Sequence, residues 1–362
     1  MAGARPNIIL FVADDHRGTA LRHLGGTRVR TPMLDTLAAA GVSFARAHSQ
    51  GSMHPAVCVP SRASLLTGRS IFASSADPTG LDFTAAQTIP AQLETFPQAL
   101  RAGGYHTHAV GKWHNDRVSF NRSFGSGRAI FFGGMSDHYH VPLHDYDPTG
   151  AYPETAVRYE ERFSTDIFTD AAIDFLEDRR TSEPFFLYVA YTAPHDPRTP
   201  PPRWSPKASQ IEIAPNVVPI HPFDNGEMKV RDELISVAPR SISEVRNQLS
   251  AYYGMIAHLD HAVGRVMRIL QARGMDEHTV VIYTSDHGLA VGQHGLMGKQ
   301  NLYQPSLRIP LVMAGPGVPQ GEIDSSLAWH ADTCATIRAM AGLGPDPNRE
   351  GVDVLADPGR IG

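Results

Sequence analysis

Two acidic clusters and one cysteine carry most of the chemistry legible in this chain. Asp14 and Asp15 close the apolar run Asn7 to Ala13, and Ser285-Asp286-His287-Gly288 closes the run Val280 to Thr284 in the same manner. Adjacent carboxylates repel, so such a doublet at a strand end reads either as a solvated turn or helix cap, or as half of a cation site. Carboxylates at the ends of two parallel strands can converge on one ion. Their oxygen donors point to Ca2+ or Mg2+ rather than Zn2+, with His287 an unusual ligand for a hard cation. Cys58 stands just ahead of a helical pattern that runs from Pro60 to Thr67. There the helix dipole favours an anion, and Arg62 one turn later can hold the side chain at position 58. Cys58 therefore reads as a thiolate nucleophile, or as a small buried residue.

The elements that must position these groups follow the βαβ alternation of a mainly parallel sheet. Strand patterns cover Asn7 to Ala13, Val42 to Ala47, His106 to Val110, Pro184 to Tyr191, Thr279 to Thr284 and Ile309 to Ala314. Helical patterns cover Pro32 to Ala40, Pro60 to Thr67, Leu93 to Ala102, Ser164 to Arg180, Ser243 to Ala272 and Trp329 to Ala341. Ligands in open α/β sheets bind at the carboxyl ends of the strands, which is where both acidic clusters fall. Prolines crowd between Pro194 and Pro222, marking a long irregular excursion suited to covering a site.

The 362 residues, 42% hydrophobic and 19% charged, describe a globular chain with material for a sizeable core, as one large α/β domain or two. A net charge of −5 leaves no electrostatic footprint for nucleic acid or an anionic membrane, so the expected partner is a small molecule. Only Cys58 and Cys334 are present, which excludes a disulfide scaffold and leaves one bridge open. Eighteen histidines lean toward metal or proton chemistry. His16, Arg17, His138, His140, His144 and His294 could line a pocket, or be solvated or capping. The N-terminal apolar run is too short for an export signal, so the default expectation is cytoplasmic.

The run CVPSRASLLTGR from Cys58 to Arg69 resembles the signature of type I sulfatases, C-x-P-S-R followed by L-L-T-G, whose cysteine is oxidised to formylglycine. The resemblance extends to PNIILFVADDHR near the start, GKWH at Gly111 to His114, APHDP at Ala193 to Pro197, and TSDHGLAVGQHGLMGKQNLY from Thr284 to Tyr303. It implies an alkaline-phosphatase-like α/β fold and hydrolysis of sulfate esters with a divalent cation, commonly Ca2+. It also implies a separate formylglycine-generating enzyme. By position, Asp14, Asp15, Asp286 and His287 would bind the metal, with formylglycine at position 58 completing the sphere. Arg62 and Lys112 would hold the hydrated aldehyde, and His114 would contact one of its hydroxyls. His195 and Lys299 would bind the sulfate and leaving-group oxygens. A small-molecule or oligosaccharide sulfate is the implied substrate, with carbohydrate sulfate favoured by the large irregular loops. Phosphonate monoester and phosphodiester hydrolases of the same superfamily are one alternative, and an inactive sulfate-ester binding protein another. Residues 1–345 would form the catalytic domain, and 346–362 a shortened link toward a C-terminal antiparallel subdomain that the family usually carries.

Overall fold

The apolar run after Pro6 forms β1 (Asn7–Ala13), in which Ile8 to Ala13 are wholly buried. Such a strand needs cover on both faces, and the chain supplies it. The other strands are β2 (Gly41–His48), β3 (His106–Lys112), β4 (Ser126–Phe131), β5 (Phe185–Ala190), β6 (Thr279–Ser285), β7 (Leu311–Ala314) and β8 (Glu322–Trp329). The helices are α1 (Pro32–Ala39), α2 (Cys58–Thr67), α3 (Phe83–Ala86), α4 (Phe96–Ala102), α5 (Arg117–Ser123), α6 (Ser164–Asp178), α7 (Ile242–Ala272), α8 (Gln304–Leu307) and α9 (His330–Met340). This computed structural model describes residues 5–25, 29–53, 55–227 and 229–356.

Among the described residues one eight-stranded sheet has the order β4-β3-β5-β1-β6-β7-β2-β8. Every pairing is parallel except those of β7, which runs antiparallel to β6 and β2. All strands but β7 thus end at the same edge. Side chains alternate across the sheet: Ile8, Leu10 and Val12 pack with Leu65 of α2, Phe96 of α4 and Ile337 of α9. Ile9, Phe11 and Ala13 pack on the other face with Leu34 of α1, Phe168 of α6 and Val263 of α7. Burying each such aliphatic or aromatic side chain contributes about 1.5–3 kcal/mol, so this two-sided core fixes where the strands end.

Several sequence expectations need correction. The strand expected over Ile309 to Ala314 forms from Leu311 but is antiparallel. The long stretch between β6 and β7 delivers the chain back to the edge where β6 ends, Leu311 pairing with Thr284, so β7 enters the sheet from that edge and runs against β6. Strands β4 and β8 were not foreseen; β8 is a partly exposed edge strand with Ile323 61% exposed, so its pattern lacks a buried alternation. Trp329 ends β8 and caps α9 rather than starting it. The bridge left open between the two cysteines is absent: Cys58 and Cys334 are both free. Cys334 in α9 faces Gly68 at the far end of α2, where an added methyl would lie 2.9 Å from its sulfur. Residues 346–356 fold back on the domain, Arg349 Nη1 donating to the Thr67 carbonyl at 2.6 Å and Val352 N to Asp332 at 2.9 Å. Among the described residues no helix is long and apolar enough to cross a membrane.

Candidate active site

Strand ends bring the reactive groups to the common edge. β1 leads into Asp14 and Asp15, β6 into Asp286 and His287, β3 ends on Lys112 just before His114, and His195 follows β5. Cys58 opens α2 instead of preceding it, which places its side chain on the first helical turn; Lys299 arrives on the loop after β6. These residues and Arg62 are all at most 4% exposed. The backbone locks the two acidic turns together: Asp286 N donates to Ala13 O at 3.2 Å, and Asp15 N to Asp286 Oδ1 at 3.1 Å. Asp15 (φ +72°) and His114 (φ +60°) adopt left-handed conformations uncommon for residues with side chains. The Asp15 carbonyl accepts from Tyr252 Oη of α7 at 2.6 Å, which anchors that turn.

The side chains form a cage around the Cys58 sulfur. Lys112 Nζ and Lys299 Nζ each lie 3.7 Å from Sγ. Lys112 also donates to Asp14 and, at 2.5 Å, to the Gly134 carbonyl. Lys299 donates to both carboxylate oxygens of Asp15, at 2.9 and 3.3 Å. Arg62 makes no hydrogen bond to Cys58. Its Nε donates to Asp286 Oδ2 at 3.0 Å and its Nη1 to the Lys112 carbonyl at 2.8 Å. His195 Nε2 stands 3.9 Å from Asp15 Oδ2, and His287 Nε2 stands 3.0 Å from Asp15 Oδ1 without the alignment of a hydrogen bond.

Electrostatics in this dry cage are strong. Burial would raise the Cys58 thiol, but Lys112, Lys299 and His114 hold it well below the usual thiol range. Asp14 is pushed up to about 7 by burial and by Asp286, against the pull of Lys112. Burial opposes ionisation of Asp286 too, yet His287 and Arg62 hold it below the ordinary carboxylate range. His114 falls to about 4, through burial and then Lys112, and is neutral at pH 7. His195 is raised because Asp15 and Asp14 outweigh burial and Lys299. His287 rises to about 9, Asp286 and Asp15 outweighing its burial.

The same cage fits a hard divalent cation. Asp14, Cys58, Asp286 and His287 offer ligand atoms all within 4.8 Å of one another, and so do Asp14, Asp15 and His195. Asp14 Oδ1 is buried without a hydrogen-bond partner, a costly arrangement for a carboxylate that a metal bond would satisfy. A cation would also displace the proton from His287, since ligands bind deprotonated.

The remaining candidates do not join the cage. His16 shares a hydrogen bond with Tyr283 Oη at 2.7 Å, and Arg17 donates to Tyr253 Oη at 2.6 Å, so both brace the β1 turn from behind. His140 stacks on Tyr159, His144 sits edge-on to Phe132, and His294 stacks on Tyr303. His138 serves indirectly, its Nε2 lying 2.9 Å from the His195 carbonyl. Two groups escaped the sequence reading. Asp196 Oδ1 lies 3.4 Å from His195 Nδ1 and is clasped by Arg231; APHDP contained it without signalling that role. Gly134 meets both Lys112 and His114, and its one signal was the doublet Gly133-Gly134 after a strand that the sequence pattern hid.

A family model described as Sulfatase matches residues 6–343. An N-acetylglucosamine-6-O-sulfatase of Bacteroides thetaiotaomicron is 27% identical over 94% of this chain and 68% of that protein. An N-acetylglucosamine-6-sulfatase of Capra hircus is 30% identical over 94% of this chain and 61% of that protein. A structure solved with its substrate D-glucosamine-2-N,6-O-disulfate matches with TM-score 0.77 at 24% identity, covering 99% of this chain and 82% of that one. The phosphonate monoester hydrolase of Agrobacterium radiobacter matches with TM-score 0.76 at 23% identity, covering 97% of this chain and 76% of that one. At these identities the two structures show the shared fold. The chain spans 57% to 68% of the length of the curated relatives it matches.

Proposed function

The chain belongs to the sulfatase family, and from that premise we propose that it hydrolyses a carbohydrate sulfate monoester, using Cys58 in its formylglycine form and a divalent cation. The observation that carries this reading is the Cys58 side chain 3.7 Å from two buried ammonium groups, within a carboxylate cage that fits a metal. Relatives named for 6-sulfated N-acetylglucosamine support the carbohydrate class.

Asp14, Asp15, Asp286 and His287 would hold the cation, Ca2+ by the hardness of the donors, with residue 58 beside it. Such a cation supplies Lewis acidity and a lowered pKa for a coordinated hydroxyl. Formylglycine, hydrated, would supply one hydroxyl as the oxygen nucleophile and a second whose loss of a proton lets the aldehyde re-form and expel sulfate from the first oxygen, an exit that a serine would lack.

The residues of the chain do the rest. Lys112 and Lys299 approach residue 58 and bring positive charge to the sulfate oxygens, which repel an anionic nucleophile until they are neutralised. His195, at the rim of the carboxylate cage with Nε2 3.9 Å from Asp15 Oδ2, donates to the oxygen of the departing alcohol. His114, neutral at pH 7, accepts a proton from the side chain at position 58. Arg62 binds Asp286 and the Lys112 carbonyl at once, so it holds two walls of the cage in register and keeps its Nη2 for an oxygen at residue 58.

The test combines intact mass of the Cys58 peptide with turnover of 6-sulfated N-acetylglucosamine and of a phosphonate monoester. The expected results are the mass loss of thiol-to-aldehyde conversion, sulfate release by the wild type and none by Cys58→Ala. A higher kcat/KM on the phosphonate would overturn the substrate class, and undiminished turnover by Cys58→Ala would overturn the mechanism.

A further inference from the structure

A cavity of about 690 Å3 lies outside the cage, between α7, the start of α1 and the turn around Trp204. That volume is in the range of small-molecule sites. Its polar lining is unusual in charge: Arg30, Arg203 and Arg268 border it with no carboxylate paired to any of them among the described residues. Asp260, the acidic group in the lining, is occupied, since its carboxylate accepts from Met33 N and Leu34 N at the start of α1. Val29, Met33 and Ile211 form an apolar wall.

Unpaired guanidinium groups beside an apolar wall call for a ligand that is an acceptor-rich anion carried on a ring or chain with an apolar face. The Trp204 ring is not itself free as a stacking platform: Arg203 lies 5.1 Å from its centroid and His258 stacks at 5.3 Å. Recognition therefore falls to the guanidinium groups of Arg30, Arg203 and Arg268. The cavity also shares α7 with the cage, because Tyr252 holds the Asp15 carbonyl and Tyr253 lines the cavity. From Tyr252 to His261 the helix rises about 13 Å.

The geometry points to a second site on this chain, a cavity at Arg203, Arg268 and Trp204 that binds a sulfated saccharide. The identity of that anion rests on the proposed function; the binding of an organic anion does not. The ligand is either a distal unit of the chain being cleaved or a separate saccharide.

The probes are a sulfated heparin-type hexasaccharide and its desulfated, N-acetylated counterpart, titrated by tryptophan fluorescence into full-length Cys58→Ala protein. Saturable quenching is expected for the sulfated probe alone, disappearing in Trp204→Phe and surviving in Lys299→Ala. Arg203→Ala/Arg268→Ala, both on exposed side chains, should weaken binding about tenfold or more. Equal affinity for the desulfated probe, or affinity unchanged by the double substitution, overturns the site. With Cys58 intact, the double variant should keep its kcat/KM on a sulfated monosaccharide. A loss confined to sulfated hexasaccharide places a distal unit of the same chain in the cavity; no loss on either, with weakened binding, places a separate saccharide there. Wild type that binds the hexasaccharide but hydrolyses no sulfate would overturn the proposed function and leave the anion site standing.

Discussion

Gly134→Ala tests how tightly the cage holds His114, the proton acceptor of the proposed mechanism. An added methyl at Gly134 would lie 2.3 Å from Nε2 and 2.4 Å from Cε1 of His114, and no side chain reaches such contacts without a shift. Gly134 is outside the left-handed region, so alanine carries no backbone strain and the effect is one of contact. The imidazole must retreat by roughly 1 Å, a displacement that can cost about 100-fold in rate when it falls on a reacting group. The buried ring cannot turn freely, being 4% exposed beside Lys112 and Cys58. Overpacking should cost a further 1–3 kcal/mol or so of stability, which a thermal melt reads separately. The assay is kcat and KM on a sulfate monoester, with conversion of Cys58 measured by mass so that only modified protein is compared. A double-mutant cycle with His114→Ala supplies the decisive comparison. If the methyl acts through His114, Gly134→Ala adds little to His114→Ala. A kcat within about threefold of wild type would refute the reasoning, and a full additional loss in the double variant would refute it too and move the effect to the Lys112 contact at the Gly134 carbonyl.

Three further outcomes are expected. Lys299→Ala should lower kcat/KM by about 100- to 1,000-fold, as removal of a preorganised charge at the reacting centre does, while the fold survives; near-normal turnover would exclude this lysine from the site. Chelation should abolish turnover and lower the melting temperature, with Ca2+ at 100 times its dissociation constant restoring about 2.7 kcal/mol; a melt indifferent to chelator and Ca2+ would exclude a cation at Asp14, Asp15, Asp286 and His287. His108, lowered to about 3 by burial and then by His106 and Arg128, is neutral in the fold but takes up a proton on unfolding below pH 6.5. Its contribution is thus complete above pH 6.5 and is lost as the pH falls toward 3, and His108→Phe should flatten the stability curve there by about 1.4 kcal/mol per pH unit. An unchanged slope in denaturant melts would show that His108 is not buried neutral.

Much of the cage was legible because its residues sit in short contiguous stretches. Asp14-Asp15 and Asp286-His287 close apolar runs, and a run buried on both faces ends at the sheet edge where ligands bind, so strand pattern alone placed them together. Cys58 and Arg62 were legible through their helix and signature, but the partner of Arg62 was not. Its guanidinium reaches across the sheet to Asp286, 224 residues away in the chain, a choice that depends on strand order. Gly134 and Asp196 were illegible for a similar reason, since a glycine shows no chemistry until its neighbour's imidazole occupies the missing side chain's space.

Residue types, their spacing and the alternation of apolar runs were enough to indicate the α/β class, the family resemblance and the candidate residues that gather in the cage, because these depend on local propensity and on chemistry each residue carries with it. Only the tertiary structure decided that β7 runs antiparallel, that both lysines close on one sulfur, that Asp14 is raised to about 7 while Asp286 is depressed, and that a cationic cavity opens along α7. Those properties arise from burial and from distances between residues far apart in the chain, which fall off too steeply for sequence order to predict.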